Sequence, residues 1–364
     1  MLPIKIYIKG ELKMAKERLF NLPETKGSYQ MKGLVTGTSK DSFYQNGKTS
    51  TGKDKRSVNF GLEVEKGKTL YVSMQAFPRD EVFFFKRGEK GQKGDTARVK
   101  WAERHTFNKE GYRLIGTNLG LTKIVGADGN MQNDKKTMVE FDACDYIGTN
   151  LKDGMSVFVK GGIEFSSFAG NDGSVRRATK FVPNQISLCG AVDFEDEKFE
   201  AQHDFTQTIV FMGVEQEKEN DKPTGRFIVS AKIVTYSTIE DAMFIITDSK
   251  LANMFKKNLK PYTAINVWGR LDATTLTEEV DNDDCWGESN AMTKVSAPTR
   301  RELIITGADP KSIDTSVYTQ AEMESAMVKI KNAQNAQNDF GDNNSSAWGD
   351  TSNLSSDDEE DEVW

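Results

Sequence analysis

Histidine and cysteine are scarce in this chain, with two of the first and three of the second among 364 residues. Cys144, Cys189 and Cys285 are widely separated and odd in number, so neither a disulfide framework nor a zinc site fits them. The setting they imply is a reducing cytoplasm. His105 and His203 stand beside neither a cysteine nor a glycine-framed serine, which leaves no nucleophile–base pairing for covalent catalysis. Asp281, Asp283 and Asp284 cluster in what reads as a solvated acidic loop rather than a metal site. No cofactor, no metal and no enzymatic activity are expected. Apolar runs are also short, and none approaches the roughly 18 residues that a membrane helix needs. The opening MLPIKIYIKGELK has neither the length nor the build of a secretory signal. Lys9 to Lys13 can be encoded by a purine-rich ribosome-binding sequence, which points to a start of translation at Met14.

Charge is divided unevenly between the two halves. Residues 14–190 carry 29 Lys and Arg against 20 Asp and Glu, a balance of +9, whereas residues 191–364 carry 16 against 34, a balance of −18. Residues 1–13 add +2, and the whole chain is −7. A basic half joined to an acidic half suits a polyanionic ligand together with a segment that mimics or repels one. Chance imbalance among solvated faces is the plainer alternative.

One stretch occurs twice. NLKDGMSVFVKGGIE (150–164) and NLKPYTAINVWGRLD (258–272) share Asn-Leu-Lys, two alternating aliphatics, a glycine, an aliphatic and an acid at one constant offset. Such a match marks an internal duplication. The alternation is that of a strand with one buried face, and Gly161 and Gly269 stand where a curving strand needs a bulge. Before the second copy, Asp248 caps a helix with Leu251, Met254, Phe255 and Leu259 on one face. Phe141, Cys144, Ile147 and Leu151 form a weaker version before the first.

Strands are expected over residues 29–37, 56–64 and 69–77, then at the repeat, and then over 174–188 after a Gly170–Gly173 turn. The second unit repeats this plan over 208–215, 225–235, 242–247, 264–272 and 302–306, interrupted by an acidic excursion over 277–289. Thr319 to Glu322 is a capping box opening a helix with Met323, Ala326, Met327 and Ile330 inward. Beyond Asn332 the composition is that of a disordered segment. Strand, strand, strand, helix, strand, strand is the order of the five-stranded OB barrel. The fold expected is therefore mainly β, with two tandem OB-type barrels: residues 14–190 with a basic insertion at about 78–137, then residues 191–332 with a C-terminal helix, then an acidic tail over 333–364. A pair of β-sandwiches is the alternative, since short alternating strands fit both.

Gly47-Lys-Thr-Ser-Thr-Gly52-Lys53-Asp54 nearly matches a phosphate-binding loop, but Asp54 replaces the magnesium-holding hydroxyl and no buried parallel strand precedes it. The loop reads instead as a flexible cationic finger, with Phe43, Tyr44, Lys53, Lys55 and Arg56. Single strands are held by stacking on aromatic rings and by cations along the phosphates. Strand alternation points Tyr71, Phe77, Phe158, Lys160, Arg176 and Lys180 outward, and the insertion adds Lys86, Arg87, Lys100 and Trp101. Each aromatic taken singly is more often core than platform, and Trp101, Phe107 and Tyr112 would also suit a small core of the insertion itself. The second unit is acidic, with Trp268 standing in for Phe158.

The chain ends Ser356-Asp-Asp-Glu-Glu-Asp-Glu-Val-Trp364. Here it resembles single-stranded DNA-binding proteins of bacteria and their phages, whose OB domains carry acidic tails tipped by an aromatic. The bacterial members are single-barrel subunits ending in Pro-Phe, so two barrels, an insertion and Val-Trp depart from that pattern and fit a phage replication protein better. The resemblance implies that Asp357, Asp358, Glu359, Glu360, Asp361 and Glu362 form the acidic run and that Trp364 docks on partner proteins. It implies a protein of the cytoplasm that coats single-stranded DNA during replication, recombination or repair. An interaction scaffold, or an RNA-binding protein, on the same barrels is the alternative.

Overall fold

Alternation decides the first half of the chain. Every second residue of the segments 58–64 and 70–74 is apolar, and Val58, Phe60, Leu62, Val64, Leu70, Val72 and Met74 are all at most 2% exposed, as strands with one face in a core require. The computed structural model describes residues 18–169, 175–275 and 299–339. In chain order it holds β1 (Gly27–Thr36), β2 (Tyr44–Lys48), β3 (Asp54–Glu65), β4 (Lys68–Ala76), β5 (Glu81–Lys86), β6 (Asp95–Lys100), β7 (Tyr112–Leu114) and β8 (Thr117–Gly120). There follow β9 (Lys123–Val125), β10 (Met131–Asn133), β11 (Lys136–Met138), α1 (Glu140–Asn150), β12 (Ser156–Ala169) and β13 (Val175–Leu188). The second half holds β14 (Gln202–Glu219), β15 (Lys222–Val234), β16 (Ile239–Ile246), α2 (Ser249–Asn258), β17 (Thr263–Thr275), β18 (Thr299–Asp314) and α3 (Gln320–Asp339). The fold is mainly β.

The strand pairings of the first half close on themselves: β1 with β3, β3 with β4, β4 with β13, β13 with β12, and β12 with β1. All are antiparallel except β4–β13, where Phe181 lies beside Val72. The second half repeats the ring as β14–β15–β16–β18–β17–β14, again with the third and last strands parallel, Ile245 beside Ile304. Antiparallel pairing of β1 with β14 joins both rings in one 13-stranded sheet. Tyr29 and Phe205 are partners across that junction, and each also faces the repeated glycine of its own ring, Gly161 or Gly269. An approximate two-fold axis therefore passes between them.

Both repeated glycines sit at bulges, as the sequence predicts: the register slips between Lys160 and Gly161 and between Trp268 and Gly269. A Cβ at Gly161 would stand 1.9 Å from the Val182 carbonyl oxygen, and one at Gly269 1.8 Å from that of Ile304. Only glycine permits so close a backbone approach. Asp248 caps α2 by accepting from the Lys250 N–H at 2.8 Å. Met254, expected on the buried face, is exposed; Ala252 takes that place, beside Phe255 and Leu259.

Two expected boundaries shift. Residues 18–26, assigned from sequence to the first unit, lie against the second. Thr25 exchanges backbone and side-chain hydrogen bonds with Val234, and Phe20 and Leu22 pack with Val210, Tyr318, Met323 and Ala326. The C-terminal helix runs to Asp339, past Asn332. The rings also share one core, in which the Phe165 ring lies 6.1 Å from Phe244 and Tyr29 meets Phe181 edge-on at 5.2 Å. The Gly170–Gly173 turn, the 277–289 excursion with Cys285, the Met14 start and the tail from Asp357 to Trp364 lie outside the described residues.

Candidate nucleic-acid interface

The insertion builds its own sheet, in the order β6–β5–β7. Its central strand reads Glu-Val-Phe-Phe-Phe-Lys, so alternation must bury one set of apolar residues and expose the other. Val82 and Phe84 face inward with Val99 and Val139, and Trp101, Phe107, Tyr112 and Leu114 pack around them. Phe83 and Phe85 face the other way. Register sets Phe83 opposite Arg98, and Phe85 opposite both Thr96 and Arg113; Glu81 pairs with Lys100 at the end of the same face. Phe83 is half-buried and Phe85 is 43% exposed.

Arg98, Lys100 and Arg113 are exposed, and among the described residues none is ion-paired with a carboxylate. The Arg98 guanidinium lies 5.8 Å from the Phe83 ring centre. Lys86, Arg87, Lys90 and Lys93 add exposed charge along the turn that joins β5 to β6. Two rings two residues apart on one strand stand about 7 Å from each other. Flat apolar surfaces between unpaired cations can stack bases while meeting phosphates.

A clamp holds this sheet to the first ring. Arg104 donates to both carboxylate oxygens of Asp142 on α1, at 2.8 and 3.1 Å, and lies 4.1 Å over the Trp101 ring. Trp101 meets Phe141 edge-on, and Arg56 lies 4.1 Å over the Phe141 ring while donating to its carbonyl oxygen. β8 and β11 tie the insertion in again, since β8 runs parallel to the end of β13 and β11 pairs with β8.

Several residues chosen from sequence therefore have structural work. Trp101 belongs to the insertion's core and clamp. Phe43 is buried in the main core. The Tyr44 hydroxyl donates to Asp145 at 2.8 Å, and burial together with this bond pushes its pKa up to about 12. Arg56 is engaged beneath α1. The expected flexible finger is a β2–β3 hairpin, closed by the Thr49 N–H to the Lys53 carbonyl and the Gly52 N–H to the Thr49 carbonyl. Its Lys48 pairs with Asp54 at 3.2 Å; Lys53 is exposed and Lys55 half-buried. Cys144 lies on the buried face of the same helix, where burial pushes its thiol up to about 12 and keeps it unreactive at neutral pH.

The remaining positions divide among three faces. Tyr71 is exposed on β4 with Arg301 of the second ring 4.8 Å from its ring, and Phe77 is half-buried just beyond that strand. On the outer side of the dyad sheet, half-buried Phe158 lies between Lys32 and Ser187, and exposed Lys160 lies between Gln30 and Gln185. Farther along β12–β13, Arg176 is exposed opposite Phe168, and half-buried Lys180 opposes Glu164. Register also corrects the repeat: Trp268 corresponds to Lys160, and Asn266 to Phe158. Of the positions expected from sequence in the insertion, Lys86 turns to the other face, 6.0 Å from the Tyr112 ring, and Arg87 follows in the turn; the structure sets Lys100 on the face of Phe83 and Phe85, two rings not among those positions. The alternation of Val82 to Phe85 was the signal that could have found them, together with Arg98 and Arg113.

Among the solved structures that resemble the chain at low similarity are two of the single-stranded DNA binding protein from Thermus aquaticus. The wild type has a TM-score of 0.36 at 9% identity, covering 79% of this chain and 93% of that one. An internal-deletion variant gives 0.37 at 10%, covering 79% and 94%. No curated protein matches in sequence. A family model described as YorF matches residues 86–343, from the last residue of β5 to just past α3. With most of its length inside that match, including nearly all of the insertion and the whole second ring, this chain belongs to the YorF family.

Proposed function

We propose that this protein binds single-stranded DNA without enzymatic action, and that the insertion sheet supplies the principal gripping face. The observation that carries this reading is the row Phe83, Phe85, Arg98, Lys100 and Arg113: two outward rings flanked by cations free of carboxylate partners. Stacking contributes on the order of 1–3 kcal/mol per base without regard to sequence, and each phosphate neutralised releases counterions. The two rings are then OB-type barrels. Their strand order, and the parallel contact between third and last strands in each, support that assignment. A basic first half and an acidic second half support a polarised protein that meets nucleic acid through the first.

The wider role proposed is coating of single strands during phage replication or recombination in the host cytoplasm, with residues Asp357 to Trp364 recruiting partner proteins. Titration of fluorescein-labelled oligo(dT) with the full chain, at about 50 and 200 mM salt, tests the binding step. Affinity should fall steeply between the two, by tenfold or more for several phosphate contacts. Absence of binding, or indifference to salt, contradicts the proposal. A tenfold preference for oligo(U) over oligo(dT) would replace DNA by RNA as the ligand.

A further inference from the structure

Cations in the acidic half gather on one helix. Over residues 248–260, Lys250, Lys256, Lys257 and Lys260 stand against Asp248 alone, a balance of +3 within a half that sums to −18. α2 turns Ala252, Phe255 and Leu259 to the core. The opposite side therefore carries Lys250, Met254 and Lys257, successive turns of one face, with Lys256 and Lys260 beside them. All four lysines are exposed and Met254 is 55% exposed. Among the described residues, none of these cations is ion-paired with a carboxylate. The scaffold itself does not call for them. α1, the equivalent helix of the first ring, has Glu140, Asp142 and Asp145 and no lysine or arginine.

A cationic stripe with an apolar centre and no exposed ring is a poor seat for a single strand, whose bases need flat platforms. It suits an acidic segment that carries an apolar side chain. The chain holds such a segment: Asp357 to Glu362 are all carboxylates, and Trp364 follows. Its reach is sufficient. Met323 and Ala326 of α3 pack in one cluster with Tyr262, just beyond Leu259 at the end of α2. From Ala326 to Asp339 the helix is about 20 Å long, and α2 is about 15 Å long. Residues 340–356 can extend to about 56 Å, enough to return to α2 whichever way α3 points. Attachment to the same chain holds the segment at an effective concentration on the order of mM, at which weak exposed ion pairs suffice. We propose that residues 357–364 dock on the outward face of α2, the carboxylates meeting its four lysines and the Trp364 indole lying on Met254, a favourable sulfur–aromatic contact. A partner that captures this segment then has to displace it from α2. That consequence rests on the recruiting role proposed above; the contact itself does not.

Two readouts on the full-length chain test the contact without DNA or partner. Carbodiimide coupling joins carboxylates to lysines in direct contact, and the monomer band is then digested and read by mass spectrometry. Links from residues 357–362 should fall on the α2 lysines at least about fivefold more often than on Lys53 and Lys90, which are also exposed. They should vanish at about 0.5 M salt, where screening reaches within several ångströms. Links spread evenly over exposed lysines, or confined to dimers, overturn the proposal. In nitrogen–proton NMR spectra the Trp364 indole signal is assigned with Trp364→Phe. In Lys250→Glu/Lys257→Glu it should move to the position it takes in a free peptide of residues 356–364. A signal that stays in place overturns the proposal as well. Oligo(dT) affinity of the same variant should equal that of wild type. A loss of about tenfold would make phosphate the occupant of α2 and overturn the proposal. A wild type that binds no oligo(dT) faults the DNA reading and leaves both readouts standing.

Discussion

Phe43 and Phe85 carry the same side chain in opposite surroundings. Phe43 lies in the main core, and removing its ring leaves a cavity that neighbours fill only in part, at a cost of about 3–5 kcal/mol. Phe85 leans into solvent between Thr96 and Arg113. Phe85→Ala should leave the urea midpoint within error of wild type while weakening oligo(dT) binding by about 1–3 kcal/mol; Phe43→Ala should lower the midpoint strongly. Equal loss of stability in both would remove Phe85 from the binding face. At this scale the sequence was only half legible. Side-chain chemistry marked Phe43, Tyr44, Arg56 and Trp101 as aromatics and cations, but α1 and the insertion's core claim them through contacts remote in sequence, such as Tyr44 with Asp145 and Arg56 with Phe141.

Among the elements, one carboxylate on α1 gathers the cations that clamp the insertion sheet to the ring. Asp142 receives both Arg104 bonds and lies within 4 Å of Arg56 and His105. Asp142→Ala should cost on the order of 2 kcal/mol, less than a fully buried pair because these groups keep some contact with water. Hydrogen exchange should quicken in β5–β7 and leave β14–β17 unchanged; uniform exchange across the chain would contradict the clamp. The bulges offer a second measurement. At Gly269 an added Cβ meets the Ile304 backbone rather than a movable side chain, so Gly269→Ala should destabilise by roughly 1–3 kcal/mol or more, read as a fall in melting temperature. Elements were the most legible level, because the alternation of β3 and β4, the Asp248 cap and the doubled glycine all act locally. The joining of β8 and β11 to β13 is a long-range pairing that no local pattern announces.

At the scale of the whole molecule, the two rings share one cluster of buried residues. Besides the common core, a polar seam links the rings. His203, 3% exposed, reaches the Leu271 carbonyl oxygen at 2.5 Å and Glu65 Oε1 at 2.6 Å, and Lys68 reaches Asp272 at 2.8 Å. Calorimetry should therefore find a single unfolding transition, whereas two would contradict the shared core. Burial works to raise the Glu65 pKa, but the Lys68 ammonium and hydrogen bonds from Lys68 and His203 outweigh it and hold the carboxyl below its ordinary 4.5. Its contribution is present in full above that value and is lost as pH falls through the folded-state pKa. Urea midpoints at pH 6 and pH 3 should differ more for wild type than for Glu65→Gln. The sequence divided the chain into two domains because its repeat is clear; Phe165 against Phe244 and the crossing of residues 18–26 unite what the repeat separates.

The central claim, that the outward face of β5–β6–β7 grips single strands, is tested most directly on one variant. Phe83→Ala/Phe85→Ala/Arg98→Ala should keep the wild-type melting temperature and lose at least a hundredfold in affinity for oligo(dT), with a shallower dependence on salt. Wild-type affinity in that variant, with the fold intact, would contradict the account.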